Sequence, residues 1–203
     1  MNIDCLQPIE VIGEKVSLIP LQTRHADDLV KAASDGELWN LWYTGVPSAD
    51  SVREYIQFAL NEQILGRSLA FVVKDNKTNN IIGCSRFCNA DTGNKRVEIG
   101  YTWYAKSYQK TATNSECKLL LLTYAFEQLD AIAVEFRTNW HNQASRTAIA
   151  RLGAKQDGVL RNHQKMADGS YRDTVVFSII NQEWLAVKNN LIFKLTQLNH
   201  EAR

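Results

Sequence analysis

The sequence predicts an α+β fold, and three observations carry that reading. Strand-like runs Leu69–Lys74, Ile81–Phe87 and Val97–Tyr104 follow one another, separated by the polar turns DNKTNN and NADTGNK. The segment Gln109–Asp130 then becomes rich in Leu, Ala and Phe with no Gly or Pro, which marks a long helix. Near the C-terminus the pair Asp168-Gly169 sits between two further strand-like runs, a strong hairpin signal.

In chain order, Glu14–Leu21 reads as a first strand, with Pro20 at its end or at an edge position. Thr23 is placed to cap a helix over His25–Ala33. Ser51 and Glu54 have the spacing of a capping box for a helix reaching about Leu65, with Gly66 as the stop. Thr113 and Glu116 repeat that spacing at the start of the long helix. Val134–Thr138 is a strand, Asn142 caps a helix over Gln143–Leu152, and Gly153 ends it. Strands around Val159–Met166 and Arg172–Ile180 flank the hairpin turn, giving about seven strands in all. Asn181 caps a last helix that carries Trp184, Val187, Leu191, Leu195 and Leu198 along one side. That side packs on the parent domain or meets a second copy. We expect a single domain over 1–203, with its core at about 14–180 and the extra helix at about 182–200.

Charged residues make up 22% and the hydrophobic class 45% of the 203 residues, an ordinary globular balance. A net charge of +1 gives no electrostatic case for nucleic acid or an anionic membrane as partner. The opening MNIDCLQPIE lacks a signal-peptide pattern, and no apolar run is long enough to span a bilayer. Cys5, Cys84, Cys88 and Cys117 have no paired spacing, so free thiols in a reducing cytoplasm are expected and no metal. His25, His141, His163 and His200 are scattered, and surface positions are expected for each.

The run Gln109-Lys110-Thr111-Ala112-Thr113-Asn114 feeds small polar residues into a helix start, where free N–H groups and the dipole favour an anion. Together with EIGYTWYAKSYQKTATNSECK, VEFRTNWHNQASRTAIARLGA and DGSYRDTVVFSII, it resembles the GNAT family of acyl-CoA-dependent N-acetyltransferases, in the branch of the RimJ/RimL ribosomal-protein enzymes. The likeness covers roughly Val16–Ile180. It implies a mixed, mostly antiparallel central sheet flanked by helices, with acetyl-CoA as cosubstrate. The family's pyrophosphate loop reads Q/R-x-x-G-x-G/A, and here Ala112 and Asn114 replace both glycines. If Ala112 needed a positive φ, it would cost roughly 1–2 kcal/mol. No G-K-[S/T] follows the loop, so a nucleotide P-loop is not supported.

By the same resemblance, backbone groups of Trp103 and Tyr104 bond pantetheine, although both residues equally suit core packing. Asn142 and Ser145 form N-x-x-S: the matching Asn contacts pantetheine and the Ser protonates the leaving thiolate, while N-cap and first-turn roles also explain them. Glu98 is the candidate general base, or else an ion-pair partner of Arg96, Arg172 or another cation. The carboxylate that RimL-like enzymes use near the later hairpin is replaced by Gln164-Lys165. Trp39, Trp42, Tyr43 and Arg86 are candidates to line the acceptor pocket, or are packing residues. The expected activity is acetyl transfer to a primary amine, on a protein N-terminus or a small molecule, by a monomer or homodimer. A non-catalytic acyl-CoA-binding protein on the same fold is the alternative, and a plain capped helix without a CoA site is a third.

Overall fold

The computed structural model describes residues 6–201, with side chains through Gln197, so Cys5 and the side chains of Leu198 and His200 lie outside it. Eight strands form one sheet: β1 (Val11–Ile12), β2 (Val16–Pro20), β3 (Leu69–Asp75), β4 (Ile81–Asp91), β5 (Arg96–Tyr104), β6 (Ala133–Asn139), β7 (Lys155–Lys165) and β8 (Tyr171–Ile180). Their spatial order is β1-β2-β3-β4-β5-β6-β8-β7. Every neighbouring pair is antiparallel except β5 and β6, which run parallel. The two-residue β1 is the strand the sequence did not signal, because it is too short to show an alternation.

Helices cover both faces. Helices α1 (Ala26–Ser34) and α2 (Val52–Ile64) pack on one side, α3 (Ala112–Thr123) and α5 (Asn181–Glu201) on the other, with α4 (Gln143–Leu152) following β6. Strand β3 shows why: Leu69, Phe71 and Val73 enter the α3/α5 core while Ala70 and Val72 enter the α1/α2 core, all buried. On α5, Trp184, Val187 and Leu191 are buried in the α3-side core, so this helix packs on its own sheet through the side the periodicity singled out. Among the described residues no helix is long and apolar enough to cross a membrane.

Several helix starts differ from expectation. Thr23 lies inside a 3-10 turn, Thr23–His25, whose cap position is Gln22 rather than Thr23. His25 is buried rather than on the surface, and its Nδ1 accepts from the Gln22 N–H at 3.1 Å. Burial lowers its pKa. Ser51 makes no cap bond; its hydroxyl accepts from the Ser48 N–H instead, at 2.9 Å. At α3 the cap is Thr111, which accepts from the Thr113 N–H at 3.2 Å. Glu116 leaves the first turn altogether. Its carboxylate accepts from the backbone N–H groups of Glu14 and Lys15 and fastens the β1–β2 turn to α3. Helix α3 continues as a π-turn, Tyr124–Gln128. Asn142 and Gly153 match expectation: Asn142 Oδ1 caps the Ser145 N–H at 3.0 Å, and Gly153 ends α4 at φ 108°. Asn181 is the first residue of α5 rather than the cap before it.

Candidate active site

Strands β5 and β6 pair only through Arg96–Ala133, Val97–Val134 and Glu98–Glu135. Beyond Glu98 they separate, and β6 pairs along its whole length with β8 instead. A bulge helps β5 turn away. Cys84 pairs with Trp103 and Arg86 with Gly100, so Ser85 alone faces the two residues Tyr101 and Thr102. Tyr101 takes up the distortion at φ 50°. Because the strands are parallel, both helices that follow them start at the same end of the fork: α3 after β5, and α4 after β6. Two helix N-termini beside a gap between parallel strands form a place where a ligand with an anionic end can lie.

The α3 end of the gap is shaped by its loop. Lys110 holds the left-handed conformation, φ 60°, whereas Ala112 is already the first helical residue. The absent glycine at Ala112 therefore carries no backbone penalty, and Asn114 is likewise helical. The N–H groups of Ala112, Thr113 and Asn114 precede the first intrahelical bond. Thr111 takes the one at Thr113. The Gln109 Nε2 donates to the Tyr104 carbonyl at 2.9 Å and fixes the loop to the end of β5. Trp103 and Tyr104 are both buried, on opposite faces of the sheet, and Trp103 Nε1 donates to the Tyr55 hydroxyl at 3.3 Å. At the α4 end Ser145 is half-buried, and its hydroxyl has no protein partner among the described residues.

Glu98 stands at the point of separation, 8% exposed. It accepts from Asn89 Nδ2 at 2.8 Å and lies 3.5 Å from Arg137 Nε. Burial pushes its pKa up, and the Asn89 bond and Arg137 charge only partly oppose that. Its neighbour across the ladder, Glu135, behaves oppositely. Burial alone would raise it, but bonds from Arg96 (2.5 Å) and Arg137 (2.9 Å) more than offset this and lower its pKa. Paired carboxylates driven apart in this way make the raised one the better proton acceptor of the two. The ion-pair role considered for Glu98 is filled by another cation, Arg137, and not by Arg96, which is committed to Glu135.

Of the four candidate pocket residues, Trp42 is 5.6 Å from the His141 ring, which links the α1–α2 connection to the loop before α4. Tyr43 meets Trp42 edge-on at 5.7 Å. Trp39 instead packs against the α1/α2 core. Arg86 is fully buried among aromatic rings.

One group at the fork had escaped sequence reading. Lys118 on α3 is 4% exposed, and its Nζ donates to Thr102 Oγ1 at 2.6 Å and Ser85 Oγ at 3.2 Å, directly at the bulge. It has no carboxylate ion-pair partner among the described residues, and burial brings its pKa down to about 8. A helical wheel would have raised the question, since Lys118 shares the buried stripe of Leu121 and Leu122. A separate apolar hollow of about 290 Å³, lined chiefly by Val11, Leu119, Leu120, Tyr124 and Ile192, shares no residue with the fork.

Comparison with known proteins agrees with this arrangement. YdaF of Bacillus subtilis (strain 168), a candidate ribosomal N-acetyltransferase, is 27% identical over 180 residues, which is 85% of this chain and 95% of YdaF. The crystal structure of an acetyltransferase candidate from T. thermophilus superposes with a TM-score of 0.81 at 29% identity, covering 93% of this chain and 98% of that one. Mycobacterium smegmatis RimJ, solved in complex with CoA-disulfide, shares the fold with a TM-score of 0.74 at 21% identity and 93% coverage of each chain. The model of the acetyltransferase (GNAT) domain matches residues 15–155, most of the chain, and the protein accordingly belongs to the GNAT acetyltransferase family.

Proposed function

We propose that the protein transfers an acetyl group from acetyl-CoA to a primary amine by direct attack. The observation that carries the proposal is the fork itself: a gap between parallel strands, two helix N-termini at its open end and a buried carboxylate where it closes. Acetyl-CoA is the cosubstrate GNAT acetyltransferases use, and the residues present suit it. Free N–H groups at Ala112 and Asn114, with the loop of Gln109, Lys110, Thr111 and Thr113, are fitted to hold pyrophosphate. Beyond Glu98 the β6-facing edge of β5 has no partner strand, and that edge up to Trp103, with Asn142, is fitted to hold the pantetheine arm, while the Tyr104 carbonyl is taken by Gln109.

Glu98 takes the proton from the acceptor ammonium, and the neutral amine attacks the thioester carbonyl. Collapse of the tetrahedral adduct breaks the C–S bond; the Ser145 hydroxyl gives its proton to the leaving thiolate and regains one from the positively charged nitrogen of the adduct, leaving a neutral amide and free CoA thiol. Most of the acceleration comes from positioning and from donors fixed before the reaction begins. Trp42 and Tyr43 stand at the acceptor side. The reading as a non-catalytic acyl-CoA binder draws on the missing glycines and on the unassigned base; the helical conformation at Ala112 bears on the first, and the Glu98 variant below tests the second. The ribosomal assignment of YdaF makes a protein N-terminus one acceptor to try.

Mass-spectrometric detection of acetylated product, with acetyl-CoA and a panel of amines and N-terminal peptides, tests the proposal. Glu98→Gln should lower kcat by about 100-fold with the KM for acetyl-CoA little changed. Equal turnover by the variant would remove Glu98 from the mechanism.

A further inference from the structure

Arg86 on β4 is the most deeply buried charge among the described residues, 1% exposed, and none of its Nε, Nη1 and Nη2 atoms has a hydrogen-bond partner. Its Cζ lies 4.0 Å from the ring centre of Tyr101, 5.4 Å from Tyr55 and 5.7 Å from Phe58. Cation–π contact offsets part of the desolvation, but rings accept none of the five N–H donors. A fold that only needed to fill this space would do so at less cost with Met or Leu.

The position explains the expense. Arg86 pairs with Gly100 and Cys88 pairs with Glu98, so Arg86 and Glu98 stand on the same face of the β4–β5 ladder, one two-residue step apart. Such a step is about 7 Å. Gly100, opposite Arg86, has no side chain to fill the space between them, and a Cβ there would come within 3.0 Å of Glu98 Oε1. The cover over the guanidinium is thin. Phe58 is 49% and Tyr101 45% exposed, and Tyr101 stands on the bulge.

We propose that Arg86 is the docking point for a carboxylate on the acceptor, received as a bidentate pair when the Tyr101 ring swings aside. The acceptor is thus an amine with a carboxylate a few bonds away, its carboxylate on Arg86 and its amine toward Glu98. This rests on the acetyl-transfer reading for the amine's role, but the anion site stands on the geometry of Arg86 alone. An α-carboxylate of a free amino acid and an acidic side chain at a peptide's N-terminus offer the same chemistry.

The test is a titration of the ¹⁵N-labelled full chain, following the Arg86 Nε–H resonance, identified by its loss in Arg86→Met. The probes are matched pairs: glycine and glutamate against glycinamide and glutamine amide, and an Asp-leading peptide against its Asn-leading twin. The expected result is a saturable shift with the carboxylate member of at least one pair and none with its neutral twin. A response to amino acids points to the α-carboxylate, and a response to the Asp peptide alone to the side chain. In turnover, wild type should favour the charged twin by about tenfold or more, and Arg86→Met should abolish that preference without changing acetyl-CoA binding. No shift with any carboxylate, or equal shifts with both twins, overturns the proposal. Carboxylate shifts in a protein that does not bind acetyl-CoA would instead uphold the anion site and reject the acetyl-transfer reading.

Discussion

Two buried ionisable side chains set the chemistry at the residue scale, and each predicts a pH dependence. Glu98 must be deprotonated to act, and burial raises its pKa. The acid limb of kcat/KM should therefore lie above the ordinary carboxylate range. Asn89→Ala, which removes a bond that favours the charged form, should move that limb further up. An unmoved limb would mean that another group titrates. For Lys118 the sign is opposite. Its folded pKa, about 8, lies below its unfolded value, so the folded state holds fewer protons between the two. The charged form costs stability below that window, and the cost fades as pH rises through it. Lys118→Met should raise stability by roughly 1–3 kcal/mol near neutral pH, with the gain shrinking in alkaline buffer, as urea unfolding can measure. A gain independent of pH would show that packing, not charge, is responsible.

At the scale of elements, local patterns were legible where a local interaction won. Asn142 caps α4 through the Ser145 N–H three residues on, and Gly153 and Gly169 adopt the positive φ their turns need. Patterns failed where a distant group competed. Glu116 has the right spacing for a capping box, but backbone N–H groups about a hundred residues away in sequence take its carboxylate. Arg86, Lys118 and the Glu98–Glu135 pairing were illegible in their roles because each is defined by register between strands or by what a helix covers. The phosphate-loop motif left open whether Ala112 needs a positive φ; it does not, and the positive φ of this loop sits at Lys110. Lys110→Gly should accordingly stabilise the protein by about 1 kcal/mol, while Ala112→Gly should destabilise it slightly. Thermal unfolding of the pair checks this, and the reverse order would contradict the loop geometry.

On the scale of the whole molecule, the sheet is held by two cores, and the fork opens where ladder pairing between β5 and β6 stops. Helix α5 secures the α3-side core from outside. Trp184 stacks on Phe126 at 5.2 Å and donates to Glu127 at 2.8 Å. Trp184→Ala should cost about 3–5 kcal/mol in urea unfolding. A loss below about 1 kcal/mol would show α5 to be peripheral to folding.

The central claim is that the fork receives acetyl-CoA, and calorimetric titration of the intact chain with acetyl-CoA, desulfo-CoA and ATP tests it most directly. The account predicts dissociation constants on the order of micromolar for both CoA compounds and no comparable binding of ATP. Absence of heat with acetyl-CoA from folded protein, or equal affinity for ATP, would contradict it.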